Sequence, residues 1–207
     1  MRIAVVVVIL TVVDGELRVL LIHRSGEPFL GSWALPGGLL FADESLPDAA
    51  ARKLVEETGV SDVYLEQLYT FDDLDGESGS VTVAYFALVD PRQVRLRVEP
   101  AWEPAWFALS ALPDLAFDNQ KVVDYAITRL RNKLEYTNVA YSLMPQSFTL
   151  SDLQSVYESI FGPFDKRNFR RRMLSQGIIH PTGRTVARGA HRPAELYEFT
   201  SRQPMVL

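Results

Sequence analysis

Part-way along, this chain reverses its charge. Residues 1–120 carry 8 Lys and Arg against 19 Asp and Glu, and residues 121–207 carry 13 against 7, so a net of −11 and a net of +6 make up the overall −5. A length of 207 residues allows one large domain or two small ones. A reversal of this size favours two with different partners, the basic one facing nucleic acid; two solvated surfaces that differ by chance are the alternative. There is no cysteine, which excludes disulfides, thiolate metal sites and cysteine nucleophiles. The longest apolar run, Ile3 to Val13, is far short of the ~20 residues that span a bilayer. Asp14-Gly15-Glu16 follows it with no small-residue cleavage site. A cytoplasmic protein without a targeting segment is expected.

The acidic part carries the signals of a sheet. Ile3–Val13 and Leu17–Arg24 are β-branched and leucine-rich runs joined through Asp14-Gly15, a strong hairpin signal. Gly31 to Gly38 reads as a loop. Ser45 to Thr58 has no Gly or Pro after Pro47, offers Ala49, Ala50, Leu54 and Val55 as an apolar face, and is closed by Gly59, so a helix is expected. Val63–Phe71 and Ser80–Val89 read as strands, with Arg95–Val98 and Trp106–Leu109 as shorter ones. Lys121–Leu134 is a second helix, with Val122, Tyr125, Ala126, Arg129 and Leu130 at helical spacing. The composition changes after it, which places a boundary near Tyr136 and domains at 1–135 and 136–207.

Gly38, Glu44, Arg52, Glu56, Glu57 and Gly59 stand at a particular set of intervals: Gly, five residues, Glu, seven residues, then Arg-Lys-Leu-Val-Glu-Glu-Thr-Gly-Val. The paired glycines Gly37 and Gly38 ahead of a helix let the backbone approach a ligand closely. Arg52 and Glu56 stand one turn apart on one helix face, with Glu57 beside Glu56. Oxygen-rich clusters of this kind suit Mg²⁺ together with substrate phosphates.

These residues resemble the Nudix box, G-x5-E-x7-R-E-U-x-E-E-x-G-U with U aliphatic. Trp33-Ala34-Leu35-Pro36-Gly37-Gly38 and the stretch from Trp106-Phe107 through Asp118 are similar to Nudix sequences too, so the resemblance covers about the first 135 residues. It implies an α/β/α sandwich with a mixed sheet. In hydrolase members it implies cleavage of nucleoside diphosphates linked to another group, with Mg²⁺ held mainly by the box glutamates. One position departs from the pattern: Lys53 stands where the box has glutamate. That exchange changes the charge by two units in a site meant for a cation. Lys53 precedes Glu57 by one turn, so its ammonium can pair with a remaining ligand, and a like charge beside bound Mg²⁺ weakens the metal.

The expectation is a pocket that binds a nucleotide-like ligand and hydrolyses it poorly or not at all. No catalytic residue is expected, metal binding at Glu56 and Glu57 is weak or lost, and no cofactor is required; Mg²⁺ has a place only if residual hydrolase activity survives. The alternative is a working Mg²⁺-dependent hydrolase of the ADP-ribose pyrophosphatase type, in which Glu99 or Glu103 substitutes for the missing carboxylate. Effector-binding candidates are Arg24, Gly37, Gly38, Arg52 and Glu56. Arg24 ends the second strand, where it can hold a phosphate through paired donors or stand as a solvated charge. His23 reads as structural, and Trp33 and Trp106 as packing residues rather than base-stacking ones.

The basic part reads helix, helix, helix, hairpin. Thr137–Met144 is short and ends at Pro145. Ser151–Phe161 places Leu153, Val156, Tyr157, Ile160 and Phe161 at helical spacing and stops at Gly162-Pro163; Asp165 caps a third helix running to about Gln176. On that helix Phe169 and Met173 share an inward face, with Arg171 opposite them, Arg167 and Arg170 flanking it, and Lys166 and Arg172 adding to the charge. Ile178–His180 and Leu196–Thr200 can pair around a loop that holds Arg184, Arg188, His191 and Arg192. Helix–turn–helix followed by a basic hairpin is the layout of a winged helix, whose second helix enters the major groove and whose wing contacts the backbone. Arginine suits both phosphate contact and paired bonds to guanine. A solvated charged helix or an RNA-binding surface would use the same residues.

Phe148-Thr149-Leu150-Ser151-Asp152-Leu153-Gln154, Lys166-Arg167-Asn168-Phe169-Arg170, Pro181-Thr182-Gly183-Arg184 and His191-Arg192-Pro193-Ala194 resemble the Nudix-related transcriptional regulators, in which a Nudix-like domain precedes a winged helix. The likeness extends over nearly the whole chain. It implies a bacterial, homodimeric repressor of NAD-biosynthesis genes that leaves its double-stranded operator on binding ADP-ribose, with no membrane partner; relatives of the same architecture control sugar catabolism. NAD-linked members carry an Arg-Asp-Pro-Arg segment before the Ser80 strand, where this chain has Asp72-Asp73-Leu74-Asp75-Gly76-Glu77-Ser78. An acidic loop repels a pyrophosphate, which leaves a sugar phosphate or another nucleotide sugar open beside ADP-ribose.

Overall fold

The computed structural model describes residues 2–72, 74, 79–96, 102–187 and 193–207, with the backbone alone at Trp102. Arg188, His191 and Arg192, Glu99, and most of the acidic loop after Asp72 lie outside the described residues. The chain forms two compact units, one built from residues up to Thr11 and from Arg18–Leu130, the other from Val12–Leu17 and Arg131–Leu207.

In the first unit, β1 (Arg2–Val13) and β2 (Glu16–Arg24) form the hairpin that Asp14-Gly15 signals. Both turn residues have positive φ, 53° and 75°, as the tight hairpin turn demands. The other strands are β3 (Trp33–Ala34), β4 (Gly37–Leu39), β5 (Tyr64–Asp72), β6 (Ser80–Leu88) and β7 (Trp102–Ala108), with α1 (Leu46–Thr58) between β4 and β5. The sheet runs β3-β2-β1-β6-β5, with β4 paired to β1 and β7 to β2. β1 and β6 are parallel, from Arg2↔Ser80 to Leu10↔Leu88, while β5 pairs β6 antiparallel, so the sheet is mixed. Val5, Val7 and Ile9 of β1 and Val83, Tyr85 and Ala87 of β6 alternate onto one face, and Ala49, Ala50 and Leu54 of α1 pack on it. A second helix, α2 (Asn119–Tyr136), buries Val122, Val123, Ala126 and Leu130 completely.

Several local expectations give way to tertiary contacts. The stretch Gly31–Gly38 holds two short strands instead of an open loop, because β3 sets Trp33 opposite His23 and β4 lays Gly37 and Gly38 antiparallel on Val6 and Val5. A Cβ on Gly37 would lie 2.7 Å from Val6 Cγ1 and 2.8 Å from the Val5 carbonyl oxygen, so glycine is what admits this pairing. Arg95 and Leu96 form no strand: the Arg95 N–H donates to the Thr58 carbonyl at the end of α1, at 2.9 Å, instead of joining a ladder. β7 starts at Trp102, four residues before the apolar pattern does, because Glu103 and Pro104 interrupt hydropathy while their backbone stays in register with β2. On α1, Val55 faces outward at 37% exposure, and Glu57 and Thr58 occupy the buried face.

The second unit holds β8 (Phe148–Thr149), α3 (Leu150–Phe161), α4 (Lys166–Ser175), β9 (Ile179–Val186) and β10 (Ala194–Phe199). Its sheet runs β8-β10-β9, antiparallel throughout. Thr149 and Asp152 form a reciprocal capping box at the start of α3, and Gly162 ends that helix at φ 89°. Helix–turn–helix with a β9–β10 wing is the winged-helix arrangement. The expected helix at Thr137–Met144 is a 3₁₀ turn over Val139–Leu143. Its geometry follows from anchoring: the Asn138 amide donates to the carbonyls of Ser201 and Gln203, each at 3.0 Å, and accepts from the Met205 N–H at 2.7 Å. Among the described residues no helix is long and apolar enough to cross a membrane.

Candidate functional site

The first candidate site is the junction of β4 and α1. Ser45 caps α1, accepting from the Asp48 N–H, and Gly59 ends it in the left-handed region at φ 68°, so the helix carrying Arg52, Lys53, Glu56 and Glu57 is fixed at both ends. Glu44 sits just before the cap and is bound bidentately by Arg52, Nε to Oε1 at 2.7 Å and Nη2 to Oε2 at 2.9 Å. Arg52 Nη1 also donates to Glu56 Oε1 at 3.1 Å, and Lys53 Nζ donates to Glu56 Oε2 at 2.7 Å. This ion pair runs from Lys53 to the residue three positions on, a box glutamate beside the Glu57 partner expected from the sequence. Glu57 itself is buried, at 1% exposure.

The titration of these groups follows their partners. Hydrogen bonding from Arg52 holds the Glu44 carboxyl below the usual range. Burial pushes Glu56 up, but hydrogen bonds from Lys53 and Arg52 outweigh it, so the net shift is downward. The Arg52 guanidinium is raised by its bond to Glu44.

Gly38, Glu44, Arg52, Lys53 and Glu56 are thus brought together as one network. A Cβ on Gly38 would lie 3.2 Å from Lys53 Cε and 3.7 Å from its Nζ, so the lysine end rests against the glycine backbone. The donor set does not fit a divalent cation. Both oxygens of Glu44 and both of Glu56 already accept from cationic side chains; the third box carboxylate, Glu57, is buried, and Lys53 puts an ammonium among them, where a second cation meets like-charge repulsion. Among the described residues no group of three or more His, Asp or Glu is arranged to hold a metal ion.

Arg24 is engaged elsewhere. Its Nε donates to the Pro28 carbonyl at 2.9 Å, and its guanidinium carbon lies 4.5 Å over the Phe117 ring. Burial lowers its pKa, opposed by Glu27. His23 and Trp33 pack edge to face at 5.0 Å, and Trp33 meets Phe107 at 4.7 Å, which is packing as expected. Two contributors carry no signal in the sequence. Phe41, 60% exposed in the loop, lies with its ring 4.1 Å from the Arg52 guanidinium carbon. Asn119 accepts from the Leu35 N–H at 2.8 Å and so ties the glycine loop to α2.

The second candidate site is α4 with the wing. Asp165 caps α4 by accepting from the Asn168 N–H at 2.8 Å. Phe169 and Met173 are buried at 4% and 0% exposure, while Lys166, Arg167, Arg170, Arg171 and Arg172 are all exposed. Two of the expected contact residues are tied to the wing or its neighbour. Arg170 donates to the Tyr197 hydroxyl at 3.3 Å, and that hydroxyl donates to Glu195. Arg184 donates to Glu198 at 3.0 Å and to Ser147 at 2.9 Å. Arg171 bonds only one turn back, to Asn168 Oδ1 at 3.1 Å, among its described hydrogen bonds. A cavity of about 420 Å³ opens between α3, α4 and β10, lined by Ser151, Gln154, Lys166, Arg170 and Tyr197 among others.

Comparison with known proteins matches both parts of the chain. The NUDIX domain matches residues 1–126 and the NrtR DNA-binding winged helix domain matches residues 140–199. The ADPR responsive transcriptional repressor NtrR of Acinetobacter baylyi is 42% identical over 198 residues, 92% of this chain and 79% of the relative. The structure of Shewanella oneidensis NrtR complexed with a 27mer DNA superposes with a TM-score of 0.84 at 36% identity, covering 95% of this chain and 93% of that one. The NUDIX domain of the same Shewanella protein, complexed with ADP ribose, matches at a TM-score of 0.55 and 38% identity, over 62% of this chain and 87% of that one. The chain belongs to the NrtR family, in which a Nudix domain is joined to a DNA-binding winged helix.

Proposed function

We infer that this protein is a transcriptional repressor that binds operator DNA through its winged helix and responds to ADP-ribose, or a related nucleotide sugar, bound in its Nudix domain. The observation that carries this reading is α4, where five cations stand exposed above two buried apolar anchors, in a chain that superposes on a relative crystallised with DNA. Lys166, Arg167, Arg170, Arg171 and Arg172 face the duplex, Arg184 of β9 adds to them, and Arg188, His191 and Arg192, which follow it in the sequence, are assigned DNA contact with them. The effector site is the network of Gly37, Gly38, Arg52 and Glu56, with Arg24 shaping the loop beside the second strand. The working division is an effector domain at 1–135 and a DNA-binding domain at 136–207. The protein acts in the cytoplasm as a homodimer, presenting two winged helices to a roughly palindromic site, and governs genes of NAD or sugar metabolism. The Nudix box serves binding rather than turnover, since Glu44 and Glu56 are committed to Arg52 and Lys53 and an ammonium replaces one box carboxylate.

The test is a fluorescence anisotropy titration of the full chain on promoter duplexes from its own gene neighbourhood at physiological salt, with and without ADP-ribose. Tight binding relative to random duplex, released by ADP-ribose, is expected. Persistence of the complex with ADP-ribose moves the effector to another sugar metabolite. Preference for structured RNA over every duplex, or ADP-ribose hydrolysis with Mg²⁺ at ordinary enzyme rates, sinks the reading.

A further inference from the structure

We propose that Lys53 is a built-in counter-cation: its ammonium does the work that a divalent ion does in a catalytic Nudix box and meets the effector's pyrophosphate without any metal. The inference rests on the Nudix domain being the effector site, and its metal arm is independent of which effector is bound. Three observations converge on the lysine. Its Nζ lies 2.7 Å from Glu56 Oε2. Its side chain is 14% exposed, held in place rather than waving in solvent. Its terminal carbon lies where a Cβ on Gly38 would be only 3.2 Å away, so only a glycine there leaves the lysine end its place against the backbone of β4.

Around it, Arg52 neutralises Glu44 through two bonds and shares Glu56. A divalent ion entering here would have to displace the ammonium from Glu56 and remain close to it, against like-charge repulsion. Mg²⁺ dehydrates reluctantly and seeks carboxylates with free oxygens. An ammonium has three donors, which lets one cation hold a carboxylate and a phosphate oxygen together. The box has therefore exchanged a dissociable cation for a covalently attached one, which removes hydrolytic chemistry and makes effector binding independent of the divalent-ion level.

Mn²⁺ is the probe for the first arm, followed by water-proton relaxation on the ligand-free full chain. The wild type is expected to show no saturable site, and Lys53→Glu to acquire one. Calorimetry of ADP-ribose forms the second arm, in EDTA and in Mg²⁺. The wild type is expected to bind equally in both, within about twofold, and Lys53→Met to bind about tenfold more weakly, the scale of a lost charge-assisted hydrogen bond. Thermal unfolding of both variants checks that they fold. A saturable Mn²⁺ site in the wild type, or ADP-ribose binding that requires Mg²⁺, overturns the proposal. If ADP-ribose binds in neither buffer, the effector reading falls, and the Mn²⁺ arm decides the counter-cation claim by itself.

Discussion

Arg52 shows how much one side chain can organise. Its planar fork spans both oxygens of Glu44 while its third nitrogen reaches Glu56, and lysine has no geometry that reproduces this. Arg52→Lys is expected to lower the thermal midpoint, because the lysine loses the two-pronged grip on Glu44, and an unchanged midpoint would refute the assignment. The same network sets an acid limit. Glu44 and Glu56 are held below the ordinary carboxylate range in the folded chain. The stability they contribute is therefore present above about pH 4.3, the unfolded value, and is lost as pH falls through their lowered folded values. Acid unfolding followed by circular dichroism should set in at higher pH in Arg52→Lys than in the wild type. The two neighbouring glycines should behave differently. A Cβ at Gly37 meets backbone at 2.8 Å, whereas a Cβ at Gly38 meets the flexible end of Lys53. Gly37→Ala should be destabilising by about 1–3 kcal/mol, as overpacking generally is, and Gly38→Ala clearly less; equal midpoints for the two would contradict this geometry.

Among the elements, α1 and α4 use the same amphipathic logic for different ends. α1 buries Ala49, Ala50 and Leu54 against the sheet, so Leu54→Ala should lose about 2–5 kcal/mol in chemical denaturation. α4 buries Phe169 and Met173 and turns its cations outward. Arg171→Ala should weaken operator binding by about 1–3 kcal/mol with loss of discrimination if it reads a base; a uniform loss on all duplexes would mark it as a phosphate contact. Arg170→Ala should be less simple, because this arginine is bonded to Tyr197 of the wing strand. The periodicity of both helices was plain in the residues, as were their caps at Gly59 and Asp165. The short pairings of β3, β4 and β8 were not: two- and three-residue strands carry no alternation to read, and they exist because neighbouring strands supply their partners. Arg95 failed as a strand residue because its N–H had a stronger local claim on it at the end of α1.

For the molecule as a whole, an acidic effector part and a basic DNA-binding part make affinity a question of ionic strength. Operator binding is expected to fall linearly in log–log form with salt, with a slope that counts released counterions, and Arg167→Ala should lower that slope by about one if it meets a phosphate. A salt-independent affinity would be incompatible with the exposed α4 cations acting on DNA. In a homodimer the relevant site is two half-sites, and their spacing becomes a geometric quantity that a footprint can measure.

The residues alone determined which two kinds of domain this chain forms, where the binding box and the arginine helix lie, and that Lys53 breaks the catalytic pattern. These are local properties: spacing along a helix, turn-forming residues, and the sign of charge do not need the rest of the chain. Only the tertiary structure decided what Lys53 touches. Its ammonium is bonded to Glu56 and rests on Gly38, because the exposure of each box glutamate depends on how α1 lies against the sheet. That face buries Glu57 and leaves Glu56 open to a partner. The same holds for Arg24, which the sequence leaves free for a phosphate and the fold commits to the Pro28 carbonyl and the Phe117 ring. A charge can be counted from sequence, but the partner that holds it is chosen by residues far away along the chain.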